Sequence, residues 1–208
     1  MVQGTKTEKV AVLGPSPTYS SMAASGLCQD VWVDASFSSI RGVVKAVNDG
    51  DALIGVVPLR NSSANVGDIS DTSNALDEYP EVAVILSREV PIDLSLMAQA
   101  GVDRSDIRTV VSKAQALGQC RRWLSDNVPG AELVETGSTS EGLERVLRDP
   151  SVALVGSKEM IDSTDLQLLA GSIQDNPDNR TEFAVIVRPD IFGDPGAEEV
   201  DWVGPSHL

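Results

Sequence analysis

Histidine is almost missing from this chain: the 208 residues contain one, His207, in the penultimate position. A Ser-His-Asp triad, a Cys-His pair or a histidine-based metal site is therefore hard to build. Cysteine is nearly as scarce. Cys28 and Cys120 are far apart, which gives neither a disulfide framework nor a zinc spacing and suits a reducing compartment. Positive charge is short as well, with 16 basic residues against 31 acidic ones and a formal net charge of -15. A field of that sign repels phosphate backbones and anionic lipid, so neither nucleic acid nor a membrane surface is expected as a partner. No run approaches the roughly 20 apolar residues that span a bilayer. The polar start, Met1 to Lys9, leads straight into an apolar run and does not read as a signal peptide. A cytoplasmic protein without metal is expected.

What is present is ordinary globular material: 41% apolar and 23% charged residues, enough to bury a core. Val10–Leu13 reads as a strand running into a Gly-Pro-Ser-Pro loop, followed by a helix through Met22–Leu27. Val31–Val33 reads as a second strand. Ser38 or Ser39 can cap a helix over Ile40–Asn48, where Ile40, Val43, Val44 and Val47 recur at helical spacing and Gly50 ends it. The continuous apolar run Ala52–Leu59 predicts a strand buried on both faces, and polar Arg60–Asn74 a long loop or a loop with a helix. Strands are expected at Val82–Val90, Leu94–Ala98, Ile107–Val111, Leu133–Glu135, Val152–Val155 and Phe183–Val187. Helices are expected at 116–127, 141–148 and around 159–161. The tail from Pro189 is expected to wander over the surface.

The alternation of strand and helix predicts an α/β fold with largely parallel sheets. Residues 1–87 and 171–208 are expected to form a discontinuous first lobe and residues 88–170 an inserted second one, joined by two crossings. Four segments share one design, a strand end, a Ser/Thr/Gly cluster and a helix start: Gly14–Ser21, Ser112–Gln115, Gly137–Ser140 and Gly156–Ser157. Any one of them reads first as a set of helix caps; four on one topology read also as a cradle for an anion. The second reading answers how an acidic chain could hold a small carboxylate without a dedicated cation.

LGPSPTYS (Leu13–Ser20), GVVPLRNSS (Gly55–Ser63), SKAQALGQC (Ser112–Cys120), GSTSEG (Gly137–Gly142), VGS (Val155–Ser157) and IQDNPDNRTEF (Ile173–Phe183) follow one another in a telling order. Together they resemble the catalytic domain of the prephenate dehydratase family, over about residues 9 to 188. The resemblance implies a two-lobed fold of the type II periplasmic-binding-protein kind with the active site in the interlobe cleft. It also implies a lyase that removes carbon dioxide and the ring hydroxyl of prephenate to give phenylpyruvate. Decarboxylation supplies the electron pair and aromatisation the driving force, so no general base and no cofactor is required. What helps is a donor to the departing hydroxyl and firm placement of the side-chain carboxylate.

Carried over by position, Thr181 matches the threonine that assists hydroxyl departure, and Phe183 the aromatic beside it. Asn61 and Ser62 match the Asn-Ser pair of the cleft, and Thr18 the opening threonine. Ser112, Gln115, Ser138 and Thr139 stand where the second lobe would meet the pyruvyl carboxylate. Phe183 reads equally as a strand residue of the core.

Three departures stand out. Arg60 replaces a Glu of the family pattern and Glu182 an Arg, a reciprocal exchange that reads either as a reversed ion pair or as altered specificity. The opening reads Gly14-Pro15-Ser16-Pro17 where the family has Gly-Pro-Glu-Gly. Ser112-Lys113-Ala114 stands for Ser-His-Pro. An ACT-type regulatory domain is not expected in these residues, nor is feedback inhibition by phenylalanine. The resemblance also implies a homo-oligomer. Two further functions stay open: a non-aromatising prephenate decarboxylase (or a lyase acting on a prephenate analogue) in specialised metabolism, and an inactive small-acid binding protein.

Overall fold

Two apolar strands and two capped helices set the first half of the fold. A computed structural model of the chain describes residues 9–14, 18–27, 34–62 and 67–192. The expected strand Val31–Val33, the loop residues Pro15–Pro17, Cys28, His207 and the tail beyond Phe192 lie outside them. The first elements are β1 (Val10–Leu13), α1 (Tyr19–Leu27), β2 (Asp34–Phe37), α2 (Ile40–Asn48), β3 (Ile54–Asn61), β4 (Gly67–Asp68), α3 (Ser70–Glu78) and β5 (Ala83–Pro91). Helix α2 starts where Ser39 Oγ accepts from Gly42 N at 3.1 Å, and it buries Ile40, Val43, Val44 and Val47. Gly50 follows it at φ 76, where a side chain would be strained. Gly55 on β3 lets α2 approach the sheet: a Cβ there would sit 2.9 Å from Val47 and 2.8 Å from Ile186. Of residues 60–74, expected as a long loop or a loop with a helix, the described ones extend β3 to Asn61, supply the short β4 and begin α3.

The second half comprises β6 (Leu94–Gln99), β7 (Thr109–Ser112), α4 (Ala114–Gln119), α5 (Arg121–Asn127), β8 (Glu132–Glu135), α6 (Thr139–Arg148), β9 (Val152–Ser157) and β10 (Leu166–Ala170), then β11 (Arg180–Val187) and α7 (Pro189–Phe192). A short 3-10 turn, Lys158–Ser163, stands where a helix around 159–161 is expected. Leu154 is fully buried, and cutting it to alanine would cost about 2–5 kcal/mol.

The described strands form two sheets, ordered β2-β1-β3-β11-β5 with β4 paired to β3, and β10-β6-β9-β7-β8. Contrary to the largely parallel expectation, both are mixed. Strands joined by helical crossovers run parallel, as β2, β1 and β3 do, and β8, β7 and β9. Strands that carry the chain between lobes run antiparallel: β11 against β3 and β5, and β6 against β9 and β10. Such strands need no helix to reverse them, so the strand–helix alternation in the sequence does not reveal them.

The chain crosses between lobes at Ile92–Asp93 and again over 171–179. The crossings lie side by side. Ile92 N donates to Asn179 O at 2.9 Å, Ile173 N to Leu94 O at 2.8 Å, and Leu94 N to Gln174 Oε1 at 3.0 Å. Asp175 then caps α5, accepting from Arg122 N at 2.9 Å and Trp123 N at 3.0 Å. One apolar cluster runs through both lobes, from Val10, Val12 and Val56 to Leu94, Val110 and Val155. The seam is thus packed at its base and polar above.

Candidate active site

Above that base, a cavity at the seam is walled by both lobes. Thr18 and Tyr19 open α1 on one side. Pro58, Asn61, Thr181 and Phe183 come from the ends of β3 and β11. Ser112, Lys113, Gln115, Gln119, Thr139 and Ser157 face them from the second lobe.

An irregularity in β3 decides which residues face this cavity. Val56 packs on the cavity side of the sheet, and Val57 and Leu59 on the opposite side. Strict alternation would then aim Arg60 at the cavity and Asn61 away from it. The register with β11 slips there: Phe183 pairs with Pro58 but Glu182 with Arg60, leaving Leu59 unmatched. Such a bulge reverses the phase of the strand. Asn61 therefore enters the cavity wall opposite Thr181. Arg60 and Glu182 pair in register on the other face, and neither lines the cavity. Of the two readings of this exchange, altered specificity through contact with substrate loses its geometric support, and the register pairing favours the reversed pair. The Glu182 carboxylate accepts from Ser87 Oγ at 2.6 Å.

Asn61 and Thr181 are 2% and 6% exposed, so their polar atoms need partners. Asn61 Nδ2 donates to Thr181 Oγ1 at 2.8 Å and to Asn179 Oδ1 at 3.1 Å. Gln119 Nε2, from α4 across the seam, donates to Asn61 Oδ1 at 3.2 Å. The glutamine fixes which end of the Asn61 amide points at Thr181. Residue types and geometry leave the Thr181 proton pointing at no acceptor among the described residues, in a wall of the cavity.

The other expected residues divide. Thr18 lines the cavity and also caps α1, its Oγ1 accepting from Ser21 N at 3.1 Å and donating to Leu13 O at 2.8 Å. Ser112, Gln115, Thr139 and Phe183 are in the wall, with the Ser112 hydroxyl donated to Val155 O at 2.7 Å. Ser62 and Ser138 are not. Ser62 clips the second crossing to β3, donating to Asp178 O at 3.1 Å and accepting from Arg180 N at 2.8 Å. Ser138 caps α6, accepting from Glu141 N at 3.1 Å, while Glu141 takes Gly137 N at 2.9 Å. That N–H, and then Arg145, holds the Glu141 carboxyl below the usual carboxylate range. Both serines are spent on structure.

Four more wall or cluster residues were not named singly from the sequence: Gln119 and Asn179, and Tyr19 and Ser157, which fall inside the Gly14–Ser21 and Gly156–Ser157 clusters. Gln119 and Asn179 lie inside the segments SKAQALGQC and IQDNPDNRTEF, where their spacing could have pointed to them. Tyr19 donates its hydroxyl to Asp93 O in the first crossing. Burial, and next the Glu159 charge, raises its pKa, so the phenol remains a donor. Among the described residues, no group of His, Cys, Asp and Glu could hold a metal ion, and no helix is long and apolar enough to cross a membrane.

Two mixed sheets joined by paired crossings, with a polar cluster at the seam, define a two-lobed α/β protein of the periplasmic-binding-protein type. Within that class the chain belongs to the prephenate dehydratase family, whose model matches residues 10–191. It is 33% identical over 187 residues to a bifunctional chorismate mutase/prephenate dehydratase of Aquifex aeolicus, covering 89% of this chain and 50% of that protein. It superposes on a prephenate dehydratase of Arthrobacter aurescens solved in complex with L-Phe, at TM-score 0.76 and 28% identity, covering 87% of this chain and 60% of that one. A prephenate dehydratase of Staphylococcus aureus gives TM-score 0.71 and 25% identity, with 87% and 67% covered. The chain thus spans about half the length of the Aquifex aeolicus relative.

Proposed function

We propose that this chain is a lyase that converts prephenate to phenylpyruvate, carbon dioxide and water. The bond from the ring to its carboxylate breaks, and its electron pair moves through the diene. The carbon–oxygen bond to the ring hydroxyl then breaks, and the departing oxygen takes a proton to leave as water. The ring becomes aromatic. The substrate supplies the electrons, so the protein has to hold it and ease the oxygen out.

One observation carries this reading: Thr181 Oγ1 accepts from Asn61 at 2.8 Å and keeps its own proton available in the cavity wall. A hydroxyl already accepting a hydrogen bond is a better donor in the other direction. Gln119 reaches Asn61 from the opposite lobe, so closing of the seam and orientation of the donor are coupled. Ser112, Gln115 and Thr139 are read as contacts for the pyruvyl side chain, with Phe183 beside the ring. Arg60 and Glu182 are read as a cross-strand pair that does not touch substrate. The reading includes the family's homo-oligomer and a cytoplasmic setting; light scattering of the purified chain tests the first.

Incubation with prephenate near neutral pH, followed by ultraviolet absorbance and mass, tests the reaction. Phenylpyruvate is the expected product. A dihydro-hydroxyphenylpyruvate would make the chain a non-aromatising decarboxylase, and binding without turnover an inactive acid-binding protein.

A further inference from the structure

The cavity wall has a charge imbalance opposite to that of the whole molecule. The chain carries a formal charge of -15. Yet among the described residues that line the cavity there is no Asp and no Glu, and one cation, Lys113. Lys113 is exposed, in extended backbone at φ -63 and ψ 146 just before α4. Several basic side chains elsewhere carry ion pairs, as in Arg41–Glu78, Lys45–Asp49, Arg145–Glu141 and Arg188–Asp190, and none of these lines the cavity. Among the described residues the Lys113 ammonium makes no ion pair and no hydrogen bond. In a chain with 31 acidic residues, a cation left open beside a cavity whose lining carries no carboxylate is set to attract an anion, although the Glu159 carboxylate stands directly behind Ser157.

We propose that Lys113 is the counter-charge for the pyruvyl carboxylate of the substrate, and so selects for the side chain that survives the reaction. This rests on the reading of prephenate as substrate. Prephenate has two carboxylates with opposite needs. The ring carboxylate loses its charge as it becomes carbon dioxide. A cation gripping it would stabilise the ground state more than the transition state and slow the reaction. The pyruvyl carboxylate keeps its charge throughout, so a cation there improves binding at no cost in rate. The wall offers both environments. Ile92, Leu94, Val155 and Phe183 give an apolar surface that suits a carboxylate about to become neutral, while Lys113 stands on the second lobe, across the seam from Thr181. Substrate held between them links the lobes through its own length.

The test uses the whole chain with Lys113→Met and Lys113→Arg. Because Lys113 is exposed and unpaired, both variants are expected to melt with the native protein. For Lys113→Met the KM for prephenate is expected to rise at least about tenfold with kcat nearly unchanged, and the salt dependence of kcat/KM to flatten. Lys113→Arg is expected to restore both. Phenylpyruvate, which keeps only the pyruvyl carboxylate, is expected to bind the Met variant more weakly by a similar factor. Unchanged KM and unchanged phenylpyruvate affinity would overturn the assignment, as would a rise in kcat, which would place Lys113 on the departing carboxylate. A native chain that binds phenylpyruvate through Lys113 but does not turn over prephenate would overturn the dehydratase reading and leave this one standing. A native chain that does neither overturns both.

Discussion

The side-chain amide of Asn61 donates to the hydroxyl oxygen of Thr181 across 2.8 Å, tying the end of β3 to the start of β11 at the floor of the cavity. The bond is directional. Replacing Asn61 with aspartate keeps the shape but puts an acceptor where Thr181 and Asn179 need a donor. Asn61→Asp is expected to lower kcat more than tenfold, on the scale of about 1–3 kcal/mol for a buried group left unmatched. Steady-state kinetics and a melting curve measure the two consequences.

Gln119 reaches the same amide from the second lobe at 3.2 Å. Gln119→Ala frees the Asn61 amide to turn over. The expected result is a kcat lower by about tenfold with stability changed by no more than about 1.5 kcal/mol, the net worth of one hydrogen bond. A stability loss without a kinetic one would make Gln119 a purely structural residue.

Arg60 and Glu182 are register partners on the face of the sheet away from the cavity. Cross-strand charge pairs with exposed members contribute about 0.2–1 kcal/mol. Arg60→Glu and Glu182→Arg should each destabilise the chain within that range, and the double reversal should recover most of the loss. Because neither side chain lines the cavity, kcat/KM for prephenate should stay within about threefold, less than 1 kcal/mol. Chemical denaturation of the four proteins closes the cycle.

Cys120 is fully buried behind α4. Burial, and next the Asp175 charge, pushes its thiol up to about 12. In the unfolded chain it ionises near 9.0. The folded state thus keeps a neutral thiol where the unfolded state gains a favourable charge. Its contribution to stability is complete below about pH 9 and is lost as pH rises from there to about 12. At pH 8 the Cys120 thiol of the native protein should resist alkylation, read by peptide mass at that residue, and Cys120→Ala should blunt the stability loss measured by denaturation between pH 9 and 11.

Much of this architecture can be read from residue order. The Val10–Leu13 strand, the Ser39 cap and the apolar run after Ala52 follow from local pattern, because burial and capping are decided within a few residues. The resemblance leads to Thr181 and Asn61, and both stand in the cavity wall. The bulge at Leu59 was not legible. A run such as Ile54-Gly55-Val56-Val57, apolar on both faces, carries no period-two signal, so nothing in it fixes whether Arg60 or Asn61 turns inward. Ser138 reads as a site residue because caps and anion cradles use the same side chains, and Ser62 through the resemblance; the placement of Glu141 and Arg180 gives each a structural partner instead. The direction of β5, β6 and β11, strands whose existence the sequence does show, was hidden for a different reason. Strand direction depends on how the chain returns between lobes, and that is settled far from the strand itself.

The most direct test is Thr181→Val, which keeps the shape and removes only the hydroxyl. The rate of phenylpyruvate formation at saturating prephenate is measured beside the affinity for phenylpyruvate. A fall in rate of more than about tenfold with affinity intact is the predicted result, since one donor to a developing charge contributes up to about 4 kcal/mol. An unchanged rate would show that the ring oxygen leaves without help from this side chain.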